Sequence, residues 1–194
     1  MIFKDFFQKY TTDILFTLAN ISVMSADGTV MEAMMAMQTL AEKFKAVHET
    51  GGKIIFIGNG GSAAMASHHA FDYWKNGKMR AIAFNDSSLL TGGGNDFGYP
   101  EVFSQPLGMF AEARDLVITI SSSGQSPNIL NAAKKAKEIG CYVVTMSAFK
   151  RDNPLRSLGD VNIYLDTMVY GYAELGHETI LHSILDFTIS GSGS

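Results

Sequence analysis

The stretch of sequence that decides the fold is KIIFIGNGGSA, residues 53–63. Its first half is a short apolar run, which predicts a buried strand of a parallel sheet. Its second half is a loop of small residues, which predicts the start of a helix. Glycines let backbone N–H groups come close to an anion, and the N-terminus of a helix adds positive potential. The stretch therefore predicts a strand–loop–helix unit that can bind a phosphate group.

A second unit of the same kind occupies residues 116–126, which read LVITISSSGQS. Its serine hydroxyls add hydrogen-bond donors. Neither loop has the lysine of a P-loop or the glycine spacing of a dinucleotide site, so we expect a sugar phosphate and no nucleotide cofactor. A single glycine–serine turn is more often a plain connection than a ligand site. Two such loops at the carboxyl ends of strands in one sheet favour a shared ligand.

The remaining pattern predicts the α/β class. Residues from about 2 to 49 form two helices that break near Asp27-Gly28, and strands alternate with helices from residue 53 onward. The predicted strands are 53–57, 80–84, 115–120, 141–146 and 161–165. The predicted helices begin near Ser62, Ser87, Pro100 and Ser126, and the last spans about 173–188. This order predicts a three-layer α/β/α core with a five-stranded parallel sheet, preceded by an N-terminal helical pair.

The chain is expected to form one domain, residues 1–189, followed by a flexible tail at 190–194. Within the domain, residues 53–189 form the α/β core and residues 1–50 form the helical pair. That pair has apolar surface that the sheet cannot cover. We therefore expect it to pack against other copies of the chain in a homotetramer.

Composition excludes several classes of protein. The net charge is −4 and 46% of the residues are hydrophobic, so the sequence offers no basic surface for nucleic acid. No apolar run approaches the roughly 20 residues of a membrane span, and the N-terminus lacks a signal-peptide pattern. The single cysteine, Cys141, lies in an apolar run and is expected to be a core residue. We therefore expect a cytoplasmic protein without a nucleic-acid or membrane partner.

Histidines and carboxylates with helical spacing are the candidates for chemistry. His68 and Asp72 lie four residues apart on the helix that follows the first loop. The last helix carries Glu174, His177, Glu178 and His182. Imidazole and carboxylate donors suit zinc or a similar divalent ion. The alternative is that they are capping groups or surface polar residues, and that His69 and His177 are only neighbours of functional positions.

These motifs resemble those of the sugar isomerase (SIS) domain family and, within it, the phosphoheptose isomerases. The resemblance rests on Gly58–Ala63 with His68 and an acid at position 72, on Asn95–Tyr99, and on Ile120–Leu130. It implies a flavodoxin-like SIS fold over nearly the whole chain. It also implies that the two loops hold a sugar phosphate, that Asp72 and His182 form the acid–base pair, and that each subunit binds one zinc ion.

Further site residues follow from the resemblance. The implied substrate-binding residues are Asn59, Gly60, Gly61, Ser62, Asp72, Asn95, Asp96, Ser121, Ser122, Ser123, Ser126 and Glu174. The implied zinc ligands are His68, Asp72, Glu174 and His182.

The chain departs from the family pattern at three points. Asp72 stands where the family usually has Glu, and Glu174 stands where it usually has Gln. Matching the last helix also requires a deletion of about three residues before Glu174. Without that deletion Leu185 would take the place of the catalytic histidine, and His177 would take the place of the Gln. We place the deletion there because it aligns Glu174, His177 and His182 together with the family pattern. This alignment predicts that Leu185 points into apolar packing.

The resemblance implies an aldose–ketose isomerase that converts sedoheptulose 7-phosphate to glycero-manno-heptose 7-phosphate through an enediol. Two alternatives remain open. One is a non-catalytic SIS-domain protein with a binding or regulatory role, of the type that binds the initiator of bacterial DNA replication. The other is an isomerase of a different phosphosugar. An acid at position 72 together with His182 favours an enzyme, because a scaffold does not require them.

Overall fold

The structure is a computed structural model and describes residues 2–191. Its α-helices are α1 (Phe3–Ala19), α2 (Ala33–Glu49), α3 (Gly61–Lys75), α4 (Ser87–Phe97), α5 (Ser104–Phe110), α6 (Pro127–Ile139) and α7 (Tyr170–Ser190). Its strands are β1 (Ser22–Ser25), β2 (Val30–Met31), β3 (Ile54–Gly58), β4 (Ala81–Ala83), β5 (Leu116–Ser121), β6 (Tyr142–Ser147) and β7 (Val161–Tyr164). Two short 3-10 helices lie at Tyr99–Glu101 and Pro154–Ser157.

The sheet confirms the three-layer α/β/α architecture but has seven strands, in the order β2-β1-β7-β6-β5-β3-β4. The five predicted strands are β3 to β7, and they pair in parallel. The expectation of only five strands was wrong because the break between the N-terminal helices is a β-hairpin. β1 pairs antiparallel with β7, and Val23 of β1 is fully buried opposite Ile163. Gly28, with φ +83°, forms the turn of the hairpin at the predicted break.

Two helix boundaries also differ from the prediction. The helix expected near Pro100 is divided into the 3-10 helix at Tyr99–Glu101 and α5. The last helix begins at Tyr170, three residues before Ala173. Ser190 of the predicted tail is the last residue of α7 and Gly191 caps it, whereas 192–194 lie outside the described residues.

Apolar side chains cover both faces of the sheet and fix α3 against α7. Phe44, Tyr73 and Leu185 belong to the cluster on one face, and Phe103 and Ile129 belong to the cluster on the other. Tyr73 is fully buried, and its hydroxyl donates a hydrogen bond of 3.0 Å to the carbonyl of Leu181. A buried hydroxyl needs such a partner, so this bond and the aromatic packing hold the facing sides of α3 and α7 in register.

The sheet topology brings the two small-residue loops together. β3 and β5 are neighbours in parallel register, with Gly58 opposite Ile120. Their carboxyl ends therefore open at the same edge of the sheet, where α/β proteins bind ligands. Cys141 is buried in the core as predicted. Among residues 2–191, no helix combines the length and apolar character that a membrane crossing needs.

Candidate active site

The first loop joins β3 to α3 through backbone that glycine favours. Gly60 has φ +54° and precedes the first residue of α3, Gly61. The first N–H groups of a helix have no partner within it, so this turn offers donors to an anion. Gly61 also leaves room for the side chain of Glu174, because a Cβ at position 61 would lie 2.9 Å from Cδ of that glutamate.

The second loop follows β5 and is held by its own serines. The N–H of Gly124 donates to Ser121 Oγ at 3.2 Å, and the N–H of Gln125 donates to Ser123 Oγ at 3.3 Å. Gly124 has φ +61°, and a side chain there would collide with Asn153. Within the described chain, the hydroxyl of Ser126 makes no capping bond to α6, although this residue is the helix N-cap. That hydroxyl is therefore available to a ligand.

A pair of amides connects the two loops. Asn59 Nδ2 donates to Asn128 Oδ1, and Asn128 Nδ2 donates to Asn59 Oδ1, each at 2.9 Å. The hydroxyl of Tyr99 adds a bond of 3.2 Å to Asn59 Oδ1. Two reciprocal bonds fix the relative position of the loops, so their donors are set before a ligand arrives.

The loops enclose a cavity of about 230 Å³. Nine predicted substrate-binding residues line it: Asn59, Gly60, Gly61, Ser62, Ser121, Ser122, Ser123, Ser126 and Glu174. Tyr170, at the start of α7, completes the wall together with Ile120. Hydroxyls, amide groups and two helix N-termini thus converge on one space, an arrangement that suits an anionic ligand.

Three predicted substrate residues lie elsewhere in the described chain. Asn95 and Asp96 are exposed on α4, and Asn95 Nδ2 donates to Asp96 Oδ1 at 2.8 Å. Neither residue is part of the cavity wall. Asp72 lies in a separate cluster of titratable groups between α3 and α7. The substrate contacts of these three residues stay predictions.

The cluster brings His68, Asp72 and His182 together. His68 Nε2 lies 3.4 Å from Asp72 Oδ2, and His182 Nδ1 lies 3.9 Å from the same oxygen. The imidazoles of His68 and His182 have ring centroids 5.3 Å apart. The predicted acid–base pair is therefore in contact, next to a second imidazole, that of His68, which lies on the same helix as Asp72.

Glu178 and His69 complete the cluster from the buried side. Glu178 Oε1 lies 3.3 Å from His182 Nε2, and Glu178 Oε2 lies 3.2 Å from His69 Nε2. His69 is fully buried beneath His182. Burial lowers the pKa of His69 to about 4, although the nearby Glu178 carboxylate acts in the opposite direction. His69 is therefore neutral at physiological pH, which makes it a fixed hydrogen-bonding group rather than a charged one.

A shallow depression connects the cavity with this cluster. It is lined by Gly61 and Glu174, which also line the cavity, and it extends to His68 and Glu178. A ligand held by its phosphate at the serine loop can therefore extend along α3 and α7 towards the imidazoles.

The last helix places its other histidine in the core. His177 is fully buried, and its Nε2 lies 3.3 Å from the carbonyl oxygen of Ser147. Burial lowers its pKa to about 4. Leu185 is buried in the apolar cluster, as predicted. The structure thus supports the deletion, because it brings His182 to His68 and Asp72 while His177 faces the interior.

The donor set is suitable for a divalent cation. Among the described residues, the atoms of His68, Asp72 and His182 lie within 4.8 Å of one another, and so do those of His69, Glu178 and His182. Imidazole nitrogens and carboxylate oxygens are the donors that zinc takes in catalytic sites. Three of the four predicted zinc ligands are therefore grouped. Glu174 belongs to neither group and lies at the glycine loop instead.

Two contributors, Glu178 and Tyr170, received no substrate, catalytic or metal role from the sequence, although Glu178 was among the candidates for chemistry. Glu178 lies four residues before His182, and this spacing alone indicates that both share a face of α7. Tyr170 lies before the predicted start of the last helix, because the apolar pattern did not show that α7 begins at this residue. Its place in the cavity wall could therefore not be predicted. For Tyr170 the sequence contains no comparable signal.

Comparison with known proteins identifies the relatives of this chain. Residues 22–148 match the model of the family described as SIS domain. A phosphoheptose isomerase from Pelobacter propionicus is 37% identical over 183 residues, which is 91% of this chain and 93% of the relative. A phosphoheptose isomerase from Helicobacter hepaticus is 36% identical over 81% of this chain and 83% of its own length.

Solved structures agree with these matches. Phosphoheptose isomerase GmhA from Neisseria gonorrhoeae superimposes with a TM-score of 0.82 at 25% identity, over 96% of this chain and 99% of that one. A phosphoheptose isomerase from Francisella tularensis has the same fold, with a TM-score of 0.81 at 21% identity, over 98% of this chain and all of that one.

Proposed function

We propose, from the premise that this chain belongs to the SIS domain family, that it is a phosphoheptose isomerase. It converts sedoheptulose 7-phosphate to glycero-manno-heptose 7-phosphate. The observation that carries this proposal is the cavity at the ends of β3 and β5, lined by nine residues that the resemblance implies for substrate binding. Two relatives named phosphoheptose isomerase, from Pelobacter propionicus and Neisseria gonorrhoeae, match 91% and 96% of this chain.

The serine loop is proposed to bind the phosphate. Ser121, Ser123 and Ser126 line one side of the cavity, and α6 begins at the next residue, Pro127. A phosphate placed there accepts hydrogen bonds from hydroxyls and lies on the positive end of a helix. With the phosphate at the serine loop, the glycine loop and Glu174 face the sugar hydroxyls.

The reaction moves a proton between C1 and C2 of the sugar. A base removes the carbon-bound proton from C1 of the ketose, an enediol forms, and the proton returns at C2, while a second group moves the hydroxyl proton between O2 and O1. Asp72 and His182 are the proposed acid–base pair. Their contact of 3.9 Å supports that assignment, and so does their position next to His68, which lines the depression that leaves the phosphate cavity.

A divalent cation, proposed to be zinc, belongs with this pair. His68, Asp72 and His182 offer it nitrogen and oxygen donors on the facing sides of two helices. When bound, such an ion polarises the sugar oxygens and stabilises the charge that develops on the enediol oxygen. The residues of the chain supply the proton transfer and the placement of the substrate.

Self-association as a homotetramer is the second part of the proposal. α1 exposes large apolar side chains, among them Phe3 (76% exposed), Leu15 (68%) and Phe16 (68%). Monomers rarely leave so many neighbouring apolar groups in water, which indicates that this surface is covered by other copies. The exposed residues Asn95 and Asp96 can then meet substrate across an interface.

Isomerase assays across phosphorylated sugars test the function. We expect turnover of sedoheptulose 7-phosphate to exceed that of pentose and hexose phosphates, and to fall at least about a hundredfold in His182→Ala. If only another phosphosugar were turned over, the proposed isomerase reaction would stand and the proposed substrate would be wrong. A folded protein without activity on any phosphosugar would favour the non-catalytic alternative.

A further inference from the structure

We propose that the hydroxyl of Tyr170 donates a hydrogen bond to the phosphate group of the substrate, and that Phe149 positions it for this contact. Tyr170 is the first residue of α7 and lines the cavity between the two loops. The inference rests on the proposed function, because it requires a phosphorylated ligand at the serine loop. It gives a binding role to a residue that lies outside the motifs of the resemblance.

Contacts of Phe149 place Tyr170 on the serine-loop side of the cavity. The rings of Phe149 and Tyr170 meet edge to face, with centroids 4.7 Å apart and planes at 83°. Phe149 follows Ala148, whose N–H donates a hydrogen bond of 3.0 Å to the carbonyl of Ser122 in the serine loop. The phenol of Tyr170 is therefore attached to the side of the cavity where the phosphate is proposed to bind.

The hydroxyl of Tyr170 has no hydrogen-bond partner among residues 2–191. Two other tyrosines nearby use theirs within the protein. Tyr172 donates to Asp13 Oδ2 at 3.1 Å, and Tyr164 donates to the carbonyl of Phe149 at 2.7 Å. A phenol in the wall of an anion-binding cavity, with its donor uncommitted, is placed to give a phosphate oxygen a charge-assisted hydrogen bond.

The backbone of Phe149 has a conformation that indicates a functional constraint. Its φ is +60°, in the left-handed region that residues with bulky side chains rarely adopt. The N–H of Phe149 donates to the carbonyl of Thr167 at 2.9 Å, and its own carbonyl accepts the Tyr164 hydroxyl. Backbone strain of this kind persists where the surroundings fix it, and it occurs preferentially at ligand sites. Here it directs the Phe149 ring onto Tyr170.

The first turn of α7 is fixed independently by α1. The ring of Tyr172 packs against that of Tyr10, with centroids 4.7 Å apart, and its hydroxyl is bound to Asp13. The backbone that carries Tyr170 is thus attached to α1, while its ring is oriented by Phe149. Tyr172, two residues further on and already hydrogen-bonded, provides a matched control for Tyr170.

Binding of two non-reacting probes to the whole chain tests the contact. The probes are inorganic phosphate and glucitol 6-phosphate, a phosphorylated polyol without a carbonyl group, and their Kd values are measured by calorimetry. We expect Tyr170→Phe to weaken both about tenfold, as for a lost charge-assisted hydrogen bond, and to raise KM while kcat stays within about twofold. Tyr172→Phe should leave both Kd values within about twofold.

A double-mutant cycle tests the positioning role of Phe149. Phe149→Leu keeps an apolar side chain but removes the aromatic edge, and it should weaken both probes about three- to fivefold. Combined with Tyr170→Phe it should add almost nothing, because both changes remove the same hydrogen bond. Additive losses would refute the positioning role. Phe149→Asn, which tolerates a positive φ, replaces Phe149→Leu if circular dichroism shows that the latter is misfolded.

The remaining outcomes separate this inference from the function itself. It would be overturned by a Tyr170→Phe variant that binds inorganic phosphate as the wild type does, including one that loses affinity for the polyol phosphate alone. A folded wild-type chain that binds neither probe would also overturn it. Binding of both probes through Tyr170, without isomerisation of any phosphosugar, would overturn the proposed reaction and leave the phosphate contact in place.

Discussion

Replacing Gly124 by alanine tests whether the serine loop is built as described. Gly124 has φ +61°, a conformation that costs an alanine about 1–2 kcal/mol. The new methyl group would also collide with the side chain of the buried Asn153. Asn153 Nδ2 donates to Ser147 Oγ and the carbonyl of Ala148, each at 3.2 Å, and to that of Lys150 at 2.7 Å. Losing one or two of these bonds costs about 1 kcal/mol each.

The expected sum for Gly124→Ala is about 3 kcal/mol, which lowers Tm by roughly 6–12 °C for a chain of this size. Differential scanning fluorimetry measures Tm, and the KM for the phosphosugar should rise because Gly124 N–H orients Ser121. Gly28→Ala is the control for a positive φ without a collision, since Gly28 has φ +83° and no atom within 4 Å of its Cβ position. Gly108→Ala, in open space within α5, should change Tm little. Equal Tm values for the Gly124 and Gly28 variants would refute the role of Asn153.

Four further outcomes follow. Ser123→Ala should raise the KM for the phosphosugar about ten- to a hundredfold, since a charge-assisted hydrogen bond is worth roughly 1.5–3 kcal/mol; an unchanged KM would remove Ser123 from the phosphate site. His182→Ala should lower kcat by roughly 10² to 10⁴ with the circular dichroism spectrum preserved, whereas near-normal turnover would exclude it as an acid–base group. The pKa of His177 is lowered by burial to about 4, so the unfolded chain binds the extra proton between pH 4 and 6.5 and stability falls on acidification through that window. His177→Leu should reduce by about 3 kcal/mol the change in the free energy of unfolding between pH 6.5 and pH 4, measured by urea unfolding. The same pH dependence of this free energy in both proteins would contradict the prediction. Leu15→Asp should shift the sedimenting species from tetramer towards smaller forms, and a wild type that sediments as a stable monomer would refute the assembly.

The α/β core was predictable because its strands are apolar and its loops carry glycine and serine at regular positions. The five parallel strands and the helix starts at Ser62, Ser87 and Ser126 agree with the structure to within one residue. The hairpin at 22–31 was not predictable in the same way. β1 and β2 have only four and two residues, and β7, the strand that β1 joins to reach the sheet, lies more than 130 positions away in sequence. Such long-range pairing leaves little local signal.

Most residues of the candidate site were predictable from the sequence, but which glutamate of α7 meets the imidazoles was not. Spacing placed His68 and Asp72 on one face of α3, and the resemblance brought His182 to them. The two glutamates on α7 could not be distinguished in this way, since both Glu174 and Glu178 lie on the face that carries His182. Which of them meets the imidazoles depends on how α3 crosses α7 and on the space that Gly61 leaves. Those are properties of packing, which spacing alone does not contain.

Proton exchange during turnover tests the central claim most directly. Sedoheptulose 7-phosphate is incubated with the protein in D₂O, and the products are followed by ¹H NMR. An enediol mechanism run by Asp72 and His182 predicts that the aldose heptose 7-phosphate appears with deuterium at C2, and that His182→Ala forms this product at least about a hundredfold more slowly. Wild-type protein that forms no aldose and exchanges no carbon-bound proton would contradict the account.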